Sequence, residues 1–428
     1  MARFKRRLPR IPTNGRFYAL KPLFLTAFVL FLPAHAQAAP PLTEAQTVEK
    51  VLQQANVQNW IEGTINEAQS DVEEFSHWDN PTFSYALDAP HLRDQNATEQ
   101  SYMITQSVDL SGRRGLRQSA AKLRLQSAAA TTQSRLALFK AETRQRFFDV
   151  LHQQQRLQAI NAWTQRLAEL ERIIRERTSA GDVSGYDLKR LQRESASAIT
   201  QQQAEQAALR RSWEQLNALW ENHDTADYEA SVSGELLPAA PVALDRFLAE
   251  LEQNPALQGL AKQKSALDLN AEAAERWKIP KFNLGVGAKT FDATNYSDTA
   301  LLVNVDVPLP LWSQNDAERM RCHAQAQKAD SEYRLAHQKT YGDIRGSWQE
   351  LTGLLQAVQT FEQQGQAVSD ELITIANISY QAGEIGIFEL LDAYRERQTY
   401  DLDRLDLMHK ARNASIELDR LTAAGITP

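Results

Sequence analysis

Two pairs of short segments along the chain alternate hydrophobic and polar residues. In the first half they lie at 81–88 and 101–110, and in the second half at 281–289 and 300–309. A period of two is typical of β-strands with one hydrophobic and one polar face. Each segment, at about nine residues, is long enough to cross a bilayer as a tilted strand. A strand pair lying on a globular core would alternate in the same way, so the period alone leaves both interpretations open.

Membrane-spanning strands would require more than one copy of the chain. Two strand pairs make a sheet of four strands, and an open sheet in lipid leaves its edge groups unpaired at several kcal/mol each. Three copies would supply twelve strands, which lies within the range of membrane barrels. If the strands cross a membrane, we therefore expect an oligomer that closes the sheet.

Each strand pair is followed by a very long segment of helical composition. From about 111–178 and from about 313–379 there is no proline and little glycine, and Ala, Gln, Arg, Leu and Glu dominate. At 1.5 Å per residue, each segment could form one continuous helix of roughly 100 Å. Hydrophobic residues in both segments recur in steps of three and four, which indicates helices packed side by side. These residues are Ile160, Trp163, Leu167, Leu170 and Ile174 in the first segment, and Leu354, Val358, Phe361, Gly365, Val368, Leu372 and Ile375 in the second.

A nine-residue motif occurs twice and marks a duplication. Ala-Gly-Asp-Val-Ser-Gly-Tyr-Asp-Leu at 180–188 recurs as Ala-Gly-Glu-Ile-Gly-Ile-Phe-Glu-Leu at 382–390, which is 202 residues later, and the strand pairs recur at an offset of 199. Gly181 and Gly383 can adopt the positive φ that ends a helix, so each motif is predicted to be the tip of a helical hairpin. The other predicted helices cover about 42–77 and 184–219 in the first copy, and about 242–278 and 386–421 in the second.

The chain is therefore divided into four segments. Residues 1–38 are predicted to be a cleaved signal peptide, because a basic stretch precedes a short apolar run and two overlapping A-x-A cleavage sites. The mature chain should begin near Gln37 or Ala39, outside the inner membrane. The two structural repeats are predicted at 39–220 and 242–425, joined by an acidic, turn-rich connector at 221–241.

Composition excludes several classes of function. A net charge of −7 gives no electrostatic footprint for nucleic acid, and a mean hydropathy of −0.48 is too polar for a bundle of transmembrane helices. Cys322 is the single cysteine, so no intramolecular disulfide or cysteine zinc site can form. The eight histidines are scattered without an i, i+4 pair. Since no Ser-His-Asp order, P-loop or HExxH motif occurs, we predict neither an enzyme nor a cofactor or metal site.

In this order of elements the chain resembles the TolC-family outer-membrane factors, the exit ducts of tripartite efflux pumps and type I secretion systems. The resemblance covers essentially the whole mature chain. It also rests on Gln-Ser-Val-Asp-Leu-Ser-Gly-Arg-Arg at 106–114, on Tyr-Gln-Ala-Gly-Glu-Ile-Gly at 380–386 and on Leu-Leu-Asp-Ala at 390–393. It implies a mainly α fold with a small β part, in which a unit of one helix, one β-hairpin and one long helical hairpin occurs twice. Three such chains would form a 12-stranded outer-membrane barrel continued by a periplasmic helical tunnel, with the 221–241 connector in the equatorial region.

The resemblance also assigns roles to the tips and to the acids beyond them. In the family the tips contact the periplasmic adaptor, and acids just past the tip form a cation-sensitive constriction. By position the constriction is Glu389 and Asp392, with Asp187 as the equivalent acid of the first repeat. Where the best-known member has a basic residue two positions after the second-tip glycine, this chain has Ile385. The adaptor-contacting residues are Ala180, Gly181, Asp182, Val183, Ser184, Ala382, Gly383, Glu384, Ile385 and Gly386.

Two interpretations of the three acids remain open. Carboxylates repeated around a narrow lumen would repel one another and bind cations. Acids in the first turns of a helix are also favoured by the helix dipole, whatever they face.

The implied function is a passive exit duct in contact with outer-membrane lipid, an adaptor (membrane fusion) protein and an inner-membrane resistance-nodulation-division pump. The closest branch in character exports heavy-metal cations, while drugs or solvents, and type I secretion, remain alternatives. A periplasmic coiled-coil adaptor or structural protein that does not span a membrane is the other class. An adaptor normally has one helical hairpin with flanking β domains, whereas this chain has two hairpins and two strand pairs.

Overall fold

The computed structural model describes residues 41–89, 91–92, 95–219, 231–309, 311–312 and 315–422. The predicted signal peptide at 1–38 and residues 221–230 of the predicted connector lie outside the described residues. The boundaries predicted for the two repeats stay a prediction.

Both halves of the chain follow the same order, which is two helices, antiparallel strands, a long helical segment and a returning helix. The first half comprises α1 (Glu44–Leu52), α2 (Ala55–Ser76), β1 (Thr82–Asp88), β2 (His91–Leu92), β3 (Gln95–Val108), α3 (Arg113–Ala180) and α4 (Gly185–Asn217). The second comprises α5 (Leu244–Ala249), α6 (Pro255–Glu275), β4 (Phe282–Ala293), β5 (Tyr296–Asp306), α7 (Asp316–Phe361), a π-helix (Glu362–Gln366), α8 (Ala367–Ala382) and α9 (Ile387–Leu421). Short 3-10 turns at Leu251–Gln253 and Arg276–Lys278 flank α6. This order confirms the predicted mainly helical, duplicated fold.

The helices before the strands are broken, although continuous helices were predicted over about 42–77 and 242–278. In the first half, α1 ends at Leu52 and α2 begins at Ala55. In the second half, the Asn254 side chain accepts hydrogen bonds from the N–H groups of Ala256 at 2.9 Å and Leu257 at 3.2 Å. Pro255 fills the first helical position, where its missing N–H leaves no partner unsatisfied. This Asn-Pro pair starts a new helix and was overlooked in the sequence.

The strands form one antiparallel sheet in the order β1-β3-β4-β5, with β2 paired to β3. The two halves of the chain join through β3 and β4, so β1 and β5 are the edges of the sheet. The register places hydrophobic residues of neighbouring strands side by side on one face. One row contains Phe83, Ile104, Val286 and Val303, and the next contains Tyr85, Tyr102, Ala288 and Leu301. Apart from Ala288, these side chains are exposed, from 40% for Tyr102 to 77% for Leu301. The sheet therefore presents an uncovered hydrophobic face.

The first long helix, α3, is continuous over 68 residues and is thus about 100 Å long. Its predicted seam is confirmed, because Ile160, Trp163, Leu167 and Ile174 are buried. Both long helices start from a left-handed residue at a matching place: Gly112 has a φ of 73° before α3, and Asn315 has a φ of 59° before α7.

The second long segment is not one continuous α-helix, because the π-helix separates α7 from α8. The ring of Tyr400, from α9, stacks on Phe361 with 4.4 Å between centroids. A Cβ atom at Gly365 would lie 2.5 Å from Cε2 of Tyr400, so the tyrosine ring occupies the space beside this turn. The interruption therefore lies against a residue of another helix that is far away in sequence.

Polar groups also join α3 to α9 in the middle of their length. The rings of His152 and His409 stack with 4.3 Å between centroids, and each ring contacts a carboxylate. Nε2 of His152 lies 2.8 Å from Oδ1 of Asp406, and Nε2 of His409 lies 2.9 Å from Oδ1 of Asp149. Burial, with the neighbouring His409, lowers the pKa of His152 from 6.5 to about 4, although Asp406 acts in the opposite direction. The folded protein thus holds this imidazole neutral.

This pKa predicts a loss of stability in mild acid. The unfolded chain protonates His152 below a pH of about 6.5 and the folded chain only near 4, so the unfolded state binds more protons between these values. The contribution of neutral His152 to the free energy of unfolding is complete above about pH 6.5. It falls by at most about 3 kcal/mol as the pH drops to about 4. Between pH 7 and pH 4.5 (about half a pH unit above the folded pKa), the Tm of His152→Gln in detergent should therefore fall less than that of the wild type. His323→Gln, at a side chain 58% exposed, is the control and should behave as wild type. Equal falls in His152→Gln and wild type would contradict the prediction.

Candidate functional site

The two predicted tips have the same backbone structure. Gly181 ends α3 with a φ of 88°, and Gly383 ends α8 with a φ of 76°. In both tips the glycine N–H donates to the carbonyl three residues earlier at 3.1 Å, and the next N–H donates to the carbonyl five residues earlier at 2.9 Å. These bonds satisfy carbonyls that a helix end leaves free. A Cβ atom would meet nothing within 4 Å at either glycine, so the positive φ and not crowding requires glycine here.

The helices that leave the tips begin with different caps at equivalent positions. At the first tip, Oγ of Ser184 accepts the Asp187 N–H at 3.2 Å and donates to Oδ2 of Asp187 at 2.7 Å. At the second tip Gly386 has no side chain, and Oε2 of Glu389 accepts the Gly386 N–H at 3.0 Å. Asp187 and Glu389 thus occupy the third position of α4 and α9, where free N–H groups and the helix dipole favour a carboxylate. The structure gives both acids a local role at the helix start.

Asp392, the third predicted acid, has a different environment. Its side chain is 67% exposed, and its Oδ1 lies 3.5 Å from Nη1 of Arg395. Arg395 makes its shorter contact with Glu194 of α4, with Nη2 2.9 Å from Oε2. Arg395 therefore bridges the second hairpin to the first and leaves the Asp392 carboxylate largely in solvent. Of the three acids, Asp392 is the one without a capping bond among the described contacts.

A hydrophobic cluster beneath the tips brings the two hairpins together. Its buried members are Trp163, Leu167, Ile174, Leu191, Ala198, Ala376, Ile387, Leu390 and Leu391. Val183 of the first tip and Ile385 of the second are partly buried against it. The position at which the best-known relative of the family has a basic residue is therefore used here for hydrophobic packing. The other eight predicted tip residues are exposed, namely Ala180, Gly181, Asp182, Ser184, Ala382, Gly383, Glu384 and Gly386.

Sequence reasoning missed the side chains that connect the hairpins. The guanidinium carbon of Arg190 in α4 lies 3.2 Å from the ring centroid of Phe388 in α9. Within the second hairpin, the Tyr394 hydroxyl donates to Oδ1 of Asn377 at 2.9 Å. Arg395 and Glu194 are 201 positions apart, close to the repeat offset, so aligning the two copies would have placed them at neighbouring positions of α9 and α4. An alignment of the two copies could therefore have predicted the contact between Arg395 and Glu194.

A second polar region lies where the strands meet the helices. A cavity of about 910 Å³ is lined by Trp78 and Trp277, among other residues. The guanidinium carbon of Arg114 lies 5.0 Å from the Trp78 centroid, and that of Arg113 lies 5.1 Å from the Trp277 centroid. Trp and Arg side chains at the ends of membrane strands are typical of the boundary between lipid and water. We expect this level of the molecule to mark the edge of the membrane.

Neither a metal centre nor a membrane helix is found in the described part of the chain. Over those residues, no three or more His, Cys, Asp or Glu side chains come together as a possible metal site. None of the helices in the same residues combines the length and the apolar character needed to cross a bilayer.

Known proteins share this architecture. Residues 249–424 match the family described as Outer membrane efflux protein. The cobalt-zinc-cadmium resistance protein CzcC of Cupriavidus metallidurans is 24% identical over 314 residues, which are 73% of this chain and 74% of that protein. The outer-membrane channel OprN has a similar structure, with a TM-score of 0.75 and 16% identity over 88% of this chain and 89% of that chain. The outer membrane protein VceC from Vibrio cholerae gives a TM-score of 0.73 and 14% identity over 88% of this chain and 95% of that chain.

The family match spans α6 to α9 and includes the second tip with Glu389 and Asp392. At such identities the two channel structures show a common fold, which is that of a mainly helical channel protein with a small sheet. Family and fold together place this protein in the outer membrane. The second half of the chain therefore matches the outer membrane efflux protein family, and the chain shares the fold of outer-membrane channel proteins.

Proposed function

We propose that three copies of this chain form the passive exit channel of a tripartite efflux system, with divalent heavy-metal cations as cargo. The observation that carries the proposal is the sheet of β1, β3, β4 and β5. One of its faces is hydrophobic and exposed, which is typical of a surface that contacts lipid or a partner. Among the described strands, the edge strands β1 and β5 each pair with one neighbour. In lipid, these edges require strands from other copies.

Closing the sheet into a barrel explains why three copies are proposed. Strand β1 of one copy would pair with β5 of the next, and three sheets of four strands make a barrel of twelve. The long helices then continue the barrel as a tunnel, and α3 alone covers about 100 Å. The tips, at the ends of α3 and α8, would lie in the periplasm.

The tips fit the role of a docking site for a periplasmic adaptor protein. Gly181, Asp182, Gly383 and Glu384 are exposed there, on turns that hydrogen bonds hold in one conformation. In this scheme the channel catalyses no reaction. An inner-membrane resistance-nodulation-division pump supplies the energy, and this chain supplies the path.

Among the three acids the contacts favour Asp392 as the main charge of a constriction. Asp187 and Glu389 are held by hydrogen bonds at their helix starts, whereas the carboxylate of Asp392 is largely exposed. Three such carboxylates around a narrow lumen would attract cations and repel one another. The cargo itself is suggested by CzcC, whose name refers to cobalt, zinc and cadmium resistance.

The oligomeric state tests the closure of the sheet. Purified protein in mild detergent should have three times the mass of the mature chain, because the free edges of β1 and β5 pair between copies. Unheated SDS-PAGE should show the same species, and heating the sample should convert it to the monomer. A monomer that stays soluble without detergent would contradict both the trimer and the membrane location of the strands.

Charge removal at the constriction tests the role of the acids. Asp392→Asn should raise single-channel conductance in planar bilayers and weaken block by a trivalent cation roughly tenfold, since three charges per channel are lost. Glu389→Gln, which keeps an oxygen for the Gly386 N–H, should have a smaller effect. Glu332→Gln removes the same charge from α7, far in sequence from the tips, and is the control. Unchanged block in Asp392→Asn would reject the constriction.

The cargo is tested in the cell that makes the protein. Deleting the gene should lower tolerance to zinc, cobalt or cadmium, because the pump then has no exit through the outer membrane. A panel of drugs and solvents tested in parallel is the comparison. Lower tolerance to drugs with unchanged tolerance to metals would contradict the metal cargo while leaving the channel intact.

A further inference from the structure

The long helix of the second hairpin (α7, the π-helix and α8) changes its packing face at the π-helix. The predicted seam residues up to this point are buried or half-buried, namely Leu354, Val358, Phe361 and Gly365. Beyond it, Val368, Leu372 and Ile375 are 54%, 46% and 51% exposed. The side chains one position later, Ser369, Ile373 and Ala376, are buried or half-buried instead. A π turn takes in one more residue than an α turn, which accounts for the shift by one position.

Helix α8 therefore has two hydrophobic faces. Ala376 and Tyr380 pack in the cluster beneath the tips. Val368, Leu372 and Ile375 continue the three-and-four spacing of α7 and would face the protein if the helix were α throughout. Either face could serve as the packed one, and the conformation of Glu362–Gln366 decides between them.

Tyr400 stabilises the π form in three ways. Its ring stacks on Phe361 with an angle of 9° between the planes. Its hydroxyl donates to the carbonyl oxygen of Phe361 at 3.1 Å, at the last residue before the π-helix. Its ring edge occupies the space where a side chain at position 365 would lie. Arg404, one turn further along α9, pairs with Glu362 at 2.6 Å.

The first hairpin (α3 and α4) shows the alternative arrangement. At the repeat offset of 202, Gly365 corresponds to Trp163 and Tyr400 corresponds to Ala198. In the first hairpin the bulky ring belongs to the long helix and the small residue to the returning helix, and α3 stays α-helical. In the second hairpin the bulky ring comes from the returning helix. The exchange of volume between the two helices coincides with the change from α to π.

We propose that Glu362–Gln366 is a register switch that opens the second hairpin. In the π form, described by this structure, Tyr400 holds the turn and α8 packs through Ala376 and Tyr380. In the α form the turn contains one residue fewer, so α8 rotates by about 100° about its axis. Val368, Leu372 and Ile375 then take the packed position that Ala376 and Tyr380 occupy in the π form. An open groove of about 660 Å³ beside Phe361, Gly365 and Tyr400 leaves room for the movement. This inference rests on the proposed channel function, because the second tip and its acids follow α8.

Thiol reactivity measures the switch directly in the full chain. In a Cys322→Ser background, Leu372→Cys and Ile373→Cys report the two faces of α8 through their rates of reaction with a small thiol reagent. The pair Gly365→Trp with Tyr400→Ala gives the second hairpin the residues of the first. This exchange variant should lower the ratio of the thiol reaction rate at position 372 to the rate at position 373 about tenfold. A tenfold change corresponds to a free-energy difference of about 1.4 kcal/mol between the two forms. Tyr341→Ala, a tyrosine of α7 before the π-helix, is the control and should leave the ratio unchanged.

A deletion tests the same switch from the other side. Removing Gln364 lets an α-helix join α7 to α8 with the present face packed, so the ratio should stay at its wild-type value. Single-channel conductance should rise at least twofold in the exchange variant, a modest effect for a rotated tip, and should not rise after the deletion. A ratio in the exchange variant that equals the wild-type ratio overturns the switch, and a changed ratio with unchanged conductance overturns its role in opening. Wild-type protein that forms no channels refutes the proposed function instead, and the thiol ratio still decides the switch.

Discussion

A β-strand edge in lipid has no water to satisfy its backbone groups, and this constraint determines the assembly of this protein. The four long strands of one chain expose a hydrophobic face and end at β1 and β5. A single chain with this sheet is therefore incomplete in a membrane, and in the proposed channel the missing strands come from other copies of the chain. The long helices follow the same arrangement as the strands, because α3 begins five positions after the end of β3 and α7 begins ten positions after the end of β5.

Duplication of the sequence is the second constraint on the structure. The two copies share their backbone turns but differ in their caps and internal packing. The two tip turns make the same backbone hydrogen bonds at the same distances of 3.1 and 2.9 Å. The caps that follow differ, because a serine hydroxyl caps one helix and a glutamate carboxylate caps the other. The hairpins diverge further inside, where α3 is α-helical and its counterpart contains a π-helix. Identical turns thus carry hairpins of different internal packing, which suits one static wall and one movable wall.

The features that depend on short-range rules could be predicted from the sequence. Strand alternation, the glycines at the tips and the seam from Ile160 to Ile174 follow from period and local conformation. The break before α6 had a local signal in Asn254 and Pro255, and it was overlooked. The π-helix had no local signal, since the side chain that packs against Phe361 and Gly365 is Tyr400 of another helix. The preference for Asp392 over Glu389 likewise required the hydrogen bonds of the folded tip.

The exchange of volume between Trp163 and Gly365, and between Ala198 and Tyr400, has a consequence for how the two repeats can evolve. Introducing tryptophan at 365 alone would overfill the space that Tyr400 occupies, and replacing Tyr400 by alanine alone would leave a void, each at about 1–5 kcal/mol. Converting one copy to the residues of the other therefore needs two coordinated substitutions with a destabilised intermediate between them. Once the copies had diverged at these positions, selection against that intermediate would keep them different, and the asymmetry of the channel wall would persist in its descendants.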